Sequence, residues 1–377
     1  MREYDVIVVG AGSMGMAAGY YLALGGKKVL LLDSNNPPHD KGSHHGETRI
    51  IRHAYGEGEE YVPLALKAQE LWEELESKTG KQLFLKTGVL NVGKETSSFM
   101  QNIISSSKRY SLPIEILDAT TIKERWPGIT VPEDYIGCYE PVSGVLRCED
   151  CIDSYRELAL LNGATIKTNS RVKNISVQEK QVFVQTDSES YSAPSLVLTA
   201  GAWSKELLSL LDLDLPITPV RKTFAWFEAD NEMYGDDVFP AFSFETSFGQ
   251  YYGFPSIQNA GLKIGRHDGG NPINPDEQRI PFGKEDEKDL VEFLKEYMPI
   301  TKSLSHGKTC IYSLTPDENF IVDLHPNYSN IAIAAGFSGH GFKFSSVIGK
   351  ILGELIVNGK TSENIELFSI DRFKKMN

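Results

Sequence analysis

Cysteine is scarce in this chain, and long apolar stretches are missing. Its four cysteines among 377 residues are too few for a disulfide framework, which favours a reducing compartment and predicts a cytoplasmic location. No stretch approaches the roughly 18 consecutive apolar residues that a transmembrane helix needs. The opening residues, MREYDVIVVGAG, show neither the apolar core nor the cleavage site of a secretory signal. We therefore expect no membrane partner.

Positive charge is also in deficit, because the formal net charge is -13. Such a surface argues against nucleic acid or an anionic membrane as the main partner. A few local arginines and lysines can still bind a small anion. With 41% hydrophobic and 24% charged residues, the chain has the composition of a globular protein, and its length suffices for two domains.

Two of the cysteines, Cys148 and Cys151, form a C-x-x-C pattern in RCEDC. Neither a second cysteine pair nor a histidine pair follows at the spacing of a zinc site. The flanking sequence GVLRCEDCIDSYRELALLNGA is typical of a helix start. We therefore predict a structural role for this pair and no metal.

The amino-terminal stretch has the pattern of a dinucleotide site. A continuous apolar strand, Tyr4 to Val9, leads into GAGSMG, a helix and a second strand that ends in an aspartate. Gly10 permits a tight turn, Gly12 lets the backbone approach a pyrophosphate at the helix end, and Gly15 lets the helix pack closely on the strand. Asp33 would accept hydrogen bonds from a ribose. The pattern leaves the choice between FAD and NAD open.

A basic, histidine-rich stretch, GSHHGETRIIRHAYGEG, follows this unit. Arg49 and Arg52 lie three residues apart, so on a helix they would share a face. Ile50, Ile51 and Ala54 imply that part of this helix is buried, where an unpaired pair of guanidinium groups would be costly. We therefore predict an anion site that faces a ligand. The alternative is a solvated basic turn.

The rest of the chain alternates between two styles of sequence. Short strand-like pieces and antiparallel patterns separate segments of α/β character. We therefore predict an α/β fold with a discontinuous, Rossmann-like cofactor domain and a second, α+β domain built on an antiparallel sheet. The predicted cofactor domain comprises residues 1–83, 143–215 and 310–377, and the predicted substrate domain comprises residues 84–142 and 216–309.

Within the second domain, Tyr251 to Phe254 and Leu262 to His267 are predicted to form a hairpin. Side chains alternate along a strand, so Lys263 and His267 share a face about 13 Å apart. That span resembles the length of a flavin ring system. An exposed polar strand face is the alternative.

The carboxy-terminal region contains a second anion-site pattern and one isolated cysteine. GFSGHGF, with Gly339 and Gly341, is a glycine-rich turn between a buried strand and a helix, and Lys343 adds positive charge to it. Cys310 stands at the front of TCIYSLTPDENFIVD. A cysteine in such a position is ordinarily a small buried hydrophobic residue.

Five of these stretches together resemble one family. GAGSMG, SHHGETRIIRHAYGEG, LKIGRH, TCIYSLTPDENFIVD and GFSGHGFKFSS, in this order, are similar to the monomeric sarcosine oxidase and N-methyltryptophan oxidase family over nearly the whole chain. The resemblance implies FAD, held through a thioether between the flavin 8α-methyl group and Cys310. It also implies a substrate carboxylate held by Arg52 and Lys343.

The resemblance further implies roles for other residues. Lys263 matches the lysine over the ring where oxygen is reduced. Other matches lie near the ring or line the active site: Arg49, Thr48, His267, Tyr252 and Tyr312. The implied reaction oxidatively demethylates an N-methyl amino acid with oxygen, giving the amino acid, formaldehyde and hydrogen peroxide, in a protein that is monomeric. Two alternatives stay open: a glycine-oxidase-like or D-amino-acid-oxidase-like flavoenzyme with non-covalent FAD, and a non-catalytic dinucleotide-binding protein.

Overall fold

Strands and helices alternate along the computed structural model, which describes residues 2–375. The first strands are β1 (Arg2–Glu3), β2 (Val6–Val9), β3 (Val29–Leu32), β4 (Thr48–Ile51), β5 (Phe84–Leu85), β6 (Val89–Lys94), β7 (Glu115–Asp118), β8 (Tyr135–Glu140), β9 (Gly144–Arg147), β10 (Thr165–Lys167) and β11 (Val172–Gln178). The later strands are β12 (Gln181–Thr186), β13 (Ser190–Ala193), β14 (Ser195–Leu198), β15 (Thr218–Phe227), β16 (Ala241–Thr246), β17 (Gly249–Phe254), β18 (Leu262–Arg266), β19 (Asn271–Pro272), β20 (Leu304–Leu314), β21 (Ile321–His325) and β22 (Tyr328–Ala335). The α-helices are α1 (Ser13–Leu24), α2 (Val62–Thr79), α3 (Ser98–Tyr110), α4 (Ala119–Arg125), α5 (Cys148–Leu161), α6 (Ser204–Ser209), α7 (Asn231–Tyr234), α8 (Lys284–Tyr297) and α9 (Ser345–Asn358).

A six-stranded sheet in the order β10-β3-β2-β14-β22-β21 forms the centre of the cofactor-binding part. Its strands are parallel except for β21, which runs antiparallel to β22. Helices α1, α2, α5 and α9 cover one face. A small sheet in the order β1-β13-β12-β11, together with α6, covers the other. Burial on both faces explains why β2 and β3 read VIVV and VLLL.

Two glycines allow the chain to turn from β2 into α1. Gly10 has a φ of +91°, and a Cβ there would lie 2.4 Å from the carbonyl oxygen of Thr199. A Cβ on Gly15 would lie 1.9 Å from the carbonyl oxygen of Gly10. Any larger residue would therefore push the helix away from the sheet. The predicted unit of strand, glycine turn, helix and strand is confirmed.

The second large sheet has nine strands within the described residues, in the order β19-β15-β18-β17-β16-β6-β8-β7, with β20 also paired to β15. All its pairs are antiparallel except β16 with β6. One face packs on α8 through a cluster of aromatic side chains, and the other face turns towards the site described below. The predicted hairpin is confirmed as β17 and β18. The division of the chain into domains at residues 83, 142, 215 and 309 stays a prediction.

The predicted helix that carries Arg49 and Arg52 is wrong. Residues 48–51 form strand β4, which pairs with β9 in a three-stranded sheet of order β4-β9-β5. The β-branched side chains of Thr48, Ile50 and Ile51 favour an extended conformation, and pairing with β9 stabilises it. Burial of Ile50, Ile51 and Ala54 is confirmed.

The sequence analysis did not predict helices α3, α4 and α8, because their segments had been assigned to strand-like patterns. In α8 the buried positions Leu290, Phe293, Leu294 and Tyr297 follow the spacing of one helix face. In α3 the Ser97 hydroxyl accepts a hydrogen bond from the Met100 amide and begins the helix.

Candidate active site

A cleft runs along the glycine turn at the carboxyl ends of the parallel strands. It lies where the strand order reverses between β2 and β14, the usual place for a ligand in an open α/β sheet. The predicted cofactor residues that line it are Gly10, Gly12, Asp33, Gly339 and Gly341. Gly15 does not line it and serves the packing of α1 instead.

Asp33 fixes the geometry of this cleft. Its Oδ2 accepts a hydrogen bond from the Ala11 amide at 2.9 Å, and its Oδ1 accepts one from the Asn35 amide at 2.8 Å. The Nε2 of His39 lies 3.3 Å from Oδ1. Behind Gly12, burial lowers the pKa of His44 to about 3, so this ring is neutral and adds no charge to the cleft.

A second cavity adjoins the cleft. Four residues line both and so form the boundary between them: Arg49, Tyr312, Gly339 and Phe342. The structure also brings together here four residues that the sequence singled out: Arg52, Lys343, Tyr252 and His267. Burial lowers the pKa of His267 to about 4, so its ring is neutral near pH 7.

Arg52 makes an ion pair with a residue that the sequence analysis missed. Its Nη2 donates to both carboxylate oxygens of Glu57, at 2.6 and 2.8 Å, while its Nε is buried without a partner in the described chain. The Glu57 side chain is 25% exposed. Burial opposes ionisation of this carboxyl group, but the Arg52 charge outweighs that effect and holds its pKa at about 2.

Lys343 provides a second cation in the same cavity. Its Nζ donates to the Tyr55 hydroxyl at 3.1 Å and to the His340 carbonyl at 2.8 Å. Burial, with a contribution from Arg52, lowers its pKa to about 7. The Tyr55 hydroxyl also lies 2.8 Å from Nδ1 of His340, which holds the lysine and the glycine-rich turn together.

Lys263 lies in a pocket of aromatic rings. Its Nζ donates to the Thr48 Oγ1 at 2.9 Å and to the Gly46 carbonyl at 2.5 Å. Rings that contact it belong to Phe224, Trp226 and Phe254. Burial, assisted by the charge of Arg49, lowers its pKa to about 7, so ammonium and amine are both populated near neutral pH.

Arg49 is a cation whose hydrogen bonds go to neutral groups. Its guanidinium donates to the carbonyls of Ser43, His45 and Thr48. No carboxylate forms an ion pair with it among residues 2–375. The positive charge at the boundary between cleft and cavity is therefore uncompensated by the protein.

Cys310 lies in β20, directly opposite Lys222 of β15. It is 1% exposed and packs with Phe224, Trp226 and Tyr312, while its neighbours Ile311 and Tyr312 line the cleft. Burial raises the pKa of the thiol, and nearby cations oppose that rise. The other cysteines are free and buried as well, including Cys148 and Cys151 at the start of α5.

Three functional candidates escaped the sequence analysis for different reasons. Glu57 and His340 stand inside stretches that were singled out, but their partners become visible only in three dimensions. Lys222 carried no signal, because its position depends on the register of β15 with β20. Its Nζ donates to the carbonyls of Asp268 and Gly269, at 2.6 and 2.8 Å.

Two features bear on ligand class. The described residues contain no cluster of His, Cys, Asp or Glu side chains placed to hold a metal ion. No helix within residues 2–375 is both long enough and apolar enough to span a membrane. The long cleft, with the start of α1 at Ser13 and the carboxylate of Asp33, fits a dinucleotide.

This fold and cleft define an FAD dependent oxidoreductase, and residues 5–355 match the family of that description, DAO. The chain is 52% identical over 375 residues to monomeric sarcosine oxidase of Bacillus sp. (strain B-0618), covering 98% of this chain and 96% of that protein. It is 44% identical over 375 residues to N-methyl-L-tryptophan oxidase of Yersinia pestis (strain Pestoides F), covering 99% and 100%. The chain therefore belongs to the monomeric sarcosine oxidase and N-methyl-L-tryptophan oxidase family.

Solved structures agree on the fold. NikD, an unusual amino acid oxidase essential for nikkomycin biosynthesis, superposes with a TM-score of 0.86 at 25% identity, covering 98% of each chain. Glycine oxidase from Geobacillus kaustophilus superposes with a TM-score of 0.83 at 20% identity, covering 99% of each chain.

Proposed function

We propose that this protein uses FAD and oxygen to remove the N-methyl group of an N-methyl amino acid. The products are the demethylated amino acid, formaldehyde and hydrogen peroxide. The relatives named above support the reaction class, since both are named as oxidases of N-methyl amino acids.

One observation carries the proposal: a carboxylate of the protein already lies on Arg52. The Arg52 Nη2 already donates to both oxygens of the Glu57 carboxylate, and a substrate carboxylate would be held by the same guanidinium group. Lys343 stands in the same cavity, next to the boundary with the cofactor cleft. An amino acid could exchange its own carboxylate for that of Glu57 without leaving a buried cation unpaired.

The chain's residues then have distinct tasks. FAD, when bound in the cleft, takes up the electrons and hydrogen that leave the N-methyl group. Arg52 and Lys343 hold the substrate carboxylate, while Tyr252, His267 and Tyr312 restrict how the amine can lie. Holding the reacting carbon in one place supplies much of the rate gain, because effective molarities are worth about 7–11 kcal/mol. A neutral His267 adds no repulsion to an incoming ammonium group.

We propose that two cations serve the redox step: Arg49, at the boundary between cleft and cavity, and Lys263, in its pocket of aromatic rings. Arg49 places an uncompensated charge beside the cleft, where reduction of the cofactor adds negative charge. Lys263, with Thr48 as its hydrogen-bond partner, presents an ammonium group to oxygen. We propose that backbone dipoles of the glycine-rich turn at Gly339 and Gly341 also stabilise the negative charge of the reduced cofactor.

An anaerobic titration of the flavin protein with sarcosine, and separately with N-methyl-L-tryptophan, tests the function. Loss of the flavin absorption band with either amino acid supports it. A band unchanged by both would leave a non-catalytic dinucleotide-binding protein as the better explanation. Titration with glycine and a D-amino acid in parallel would expose an oxidase of that other type.

We also propose that Cys310 holds FAD through a thioether. Cys310→Ser should yield protein that releases all its flavin on acid precipitation, whereas wild type should retain it in the pellet. Cys138→Ser, a change at another buried free cysteine, is the control and should behave like wild type. Flavin released from wild type would reject the covalent link and leave the rest of the proposal standing.

Glu57→Gln should lower the apparent KM for the N-methyl amino acid about three- to tenfold. The substitution removes the charge that competes for Arg52, whose affinity for the substrate carboxylate should therefore increase. Steady-state kinetics of wild type and variant provide the measurement. Glu59→Gln, which removes a carboxylate paired with Arg109 outside the cavity, should leave KM unchanged. A rise in KM with Glu57→Gln would contradict the proposed exchange of carboxylates.

The protein is further proposed to be a cytoplasmic monomer. Four free thiols are compatible with a reducing compartment. Size-exclusion chromatography with light scattering measures the oligomeric state directly.

A further inference from the structure

Lys263 is buried, yet its ammonium group donates hydrogen bonds only to neutral acceptors. The residue is 2% exposed. Its Nζ donates to the Gly46 carbonyl at 2.5 Å, to the Thr48 hydroxyl at 2.9 Å and to the Thr48 carbonyl at 3.2 Å. No carboxylate among residues 2–375 forms an ion pair with this group. Buried charges in proteins are usually paired, so the charge of Lys263 requires compensation from a more distant group.

A carboxylate binds the other side of the turn that holds Lys263. Glu149 lies in the first turn of α5. The Gly46 amide donates to its Oε1 at 2.8 Å, and the Glu47 amide donates to its Oε2 at 3.0 Å. Within the described chain no lysine, arginine or histidine forms an ion pair with Glu149. Its hydrogen bonds to protein groups therefore go to the backbone of this turn.

One peptide group connects the two charged side chains. The carbonyl of Gly46 and the amide of Glu47 belong to the same planar unit, in which the oxygen and the N–H point in opposite directions. The oxygen accepts from Lys263, and the N–H donates to the carboxylate. The peptide dipole is thus aligned with both charges. Hydrogen bonds in such a chain polarise one another, and more strongly in a low dielectric.

The turn adopts an unfavourable conformation to make this connection. Gly46 has a φ of +97° and Glu47 a φ of +74°, and the left-handed region costs energy for a residue other than glycine. The Cys148 amide, at the start of α5, donates to the Glu47 carbonyl at 2.9 Å. A Cβ on Gly46 would lie 2.6 Å from the ring of Phe224, so the turn packs directly against the aromatic pocket.

We infer that Glu149 is the indirect counter-ion of Lys263, and that its negative charge, acting through the connecting peptide group, keeps the ammonium form populated. The inference rests on the proposed role of Lys263 towards oxygen and deepens it. Glu149 lines neither the cleft nor the second cavity. It is therefore a positioning residue that acts through Lys263.

Other charged and titratable groups also act on Lys263. They are Arg49 of β4, Glu47 of the turn, Cys148 and Glu149 of α5, and Cys310 of β20. The arginine disfavours the ammonium form, and the two carboxylates favour it. Burial raises the pKa of both thiols, so they are uncharged near pH 7. Of the two carboxylates, Glu149 is the one that hydrogen bonds to the peptide group beside Lys263.

Glu149→Gln tests the inference, because it removes the charge and keeps an oxygen that can accept from the turn. NMR of flavin-bound protein labelled with ¹³C at lysine Cε reports the protonation of Lys263, whose resonance is the one absent from Lys263→Met. The titration midpoint, near pH 7 in wild type, should fall by about one pH unit, because a nearby negative charge stabilises an ammonium group.

Two further variants serve as controls. Asp150→Asn removes one negative charge from the same turn of α5, at an exposed position, and should leave the midpoint unchanged. Glu149→Asp keeps the charge on a shorter side chain, so the midpoint should stay near that of wild type even if the turn loosens.

The reaction with oxygen should show the same shift. Protein with photoreduced flavin, mixed with oxygen in a stopped-flow instrument, reoxidises without any amino acid substrate. The ammonium form is lost as the pH rises, and a lower midpoint means that it is lost earlier. Glu149→Gln should therefore reoxidise like wild type at pH 5 and about fivefold more slowly at pH 7. In a Lys263→Met background the same substitution should have no further effect.

The outcomes separate this inference from the proposals on which it rests. An NMR midpoint unchanged in Glu149→Gln would overturn it, and so would reoxidation slowed equally at every pH, which indicates that the glutamate only holds the turn in place. A lowered NMR midpoint with unchanged reoxidation would support the link between Glu149 and Lys263 and refute the role of Lys263 towards oxygen. Failure of N-methyl amino acids to reduce the flavin would refute the proposed substrate and leave the link intact.

Discussion

Lys263→Met should slow the reaction of the reduced protein with oxygen by about 10²- to 10³-fold, the size of effect seen when a preorganised electrostatic group is removed. In the proposed reaction, electron transfer to oxygen creates negative charge next to Lys263. The lysine lies in a pocket of aromatic rings, where one ammonium group acts in a low dielectric. Reduction by substrate should change little. Stopped-flow mixing of reduced protein with oxygen measures the first rate, and anaerobic mixing with substrate measures the second.

The ammonium group of Lys263 also predicts that the rate of reoxidation depends on pH. Its pKa of about 7 means that the ammonium form is lost as the pH rises through neutrality. The rate constant for reoxidation of wild type should therefore fall as the pH increases across about 7. Lys263→Met should be slow at every pH in this range.

Lys308→Met is the matched control, because Lys308 also contacts Trp226 but is exposed. It should reoxidise like wild type. If Lys263→Met reoxidises at the wild-type rate, Arg49 becomes the better candidate for the group that stabilises reduced oxygen.

Arg52→Ala should raise the substrate KM by about a hundredfold or more and leave the flavin content unchanged. Removing one partner of a buried charged hydrogen bond costs about 2–5 kcal/mol of binding free energy. Part of that cost arises because the remaining charge is left buried and unpaired. Steady-state kinetics and the flavin-to-protein absorbance ratio measure the two quantities.

A double variant separates these contributions. Arg52→Ala leaves Glu57 without its cation, next to the place where the substrate carboxylate must bind. Adding Glu57→Gln removes that repulsion and should recover part of the lost affinity, a coupling that a double-mutant cycle quantifies. Equal losses of flavin and substrate affinity in Arg52→Ala would instead assign the arginine a structural role.

Local signals made much of the cofactor cleft predictable. Gly10, Gly12 and Asp33 lie within one unit of strand, turn, helix and strand, so spacing alone determines their arrangement. The face of β18 that carries Lys263 likewise follows from alternation within one strand, whereas His267 lies one residue beyond that strand. Arg52 was expected on a helix and instead follows strand β4. The sequence did not show this, because the partner strand β9 lies about a hundred residues away in sequence.

The second cavity was much less predictable, because its walls come from distant segments. The bond between Arg52 and Glu57 depends on the path of a loop, which spacing does not describe. The place of Ser243 in the cavity wall depends on the register of β16 with β6, two strands about 150 residues apart in sequence.

The order of strands in the cofactor sheet has a consequence for biosynthesis. β2 and β14 are synthesised before their neighbour β22 and before the helix α9 that packs on α1. Until then β14 has an unpaired edge, and α1 has an uncovered apolar surface around Ala17, where Gly349 of α9 later packs. A nascent chain in this state is prone to aggregate. Residues from both the first and the last of these elements line the cleft, so its wall is complete only once both parts of the chain have been made.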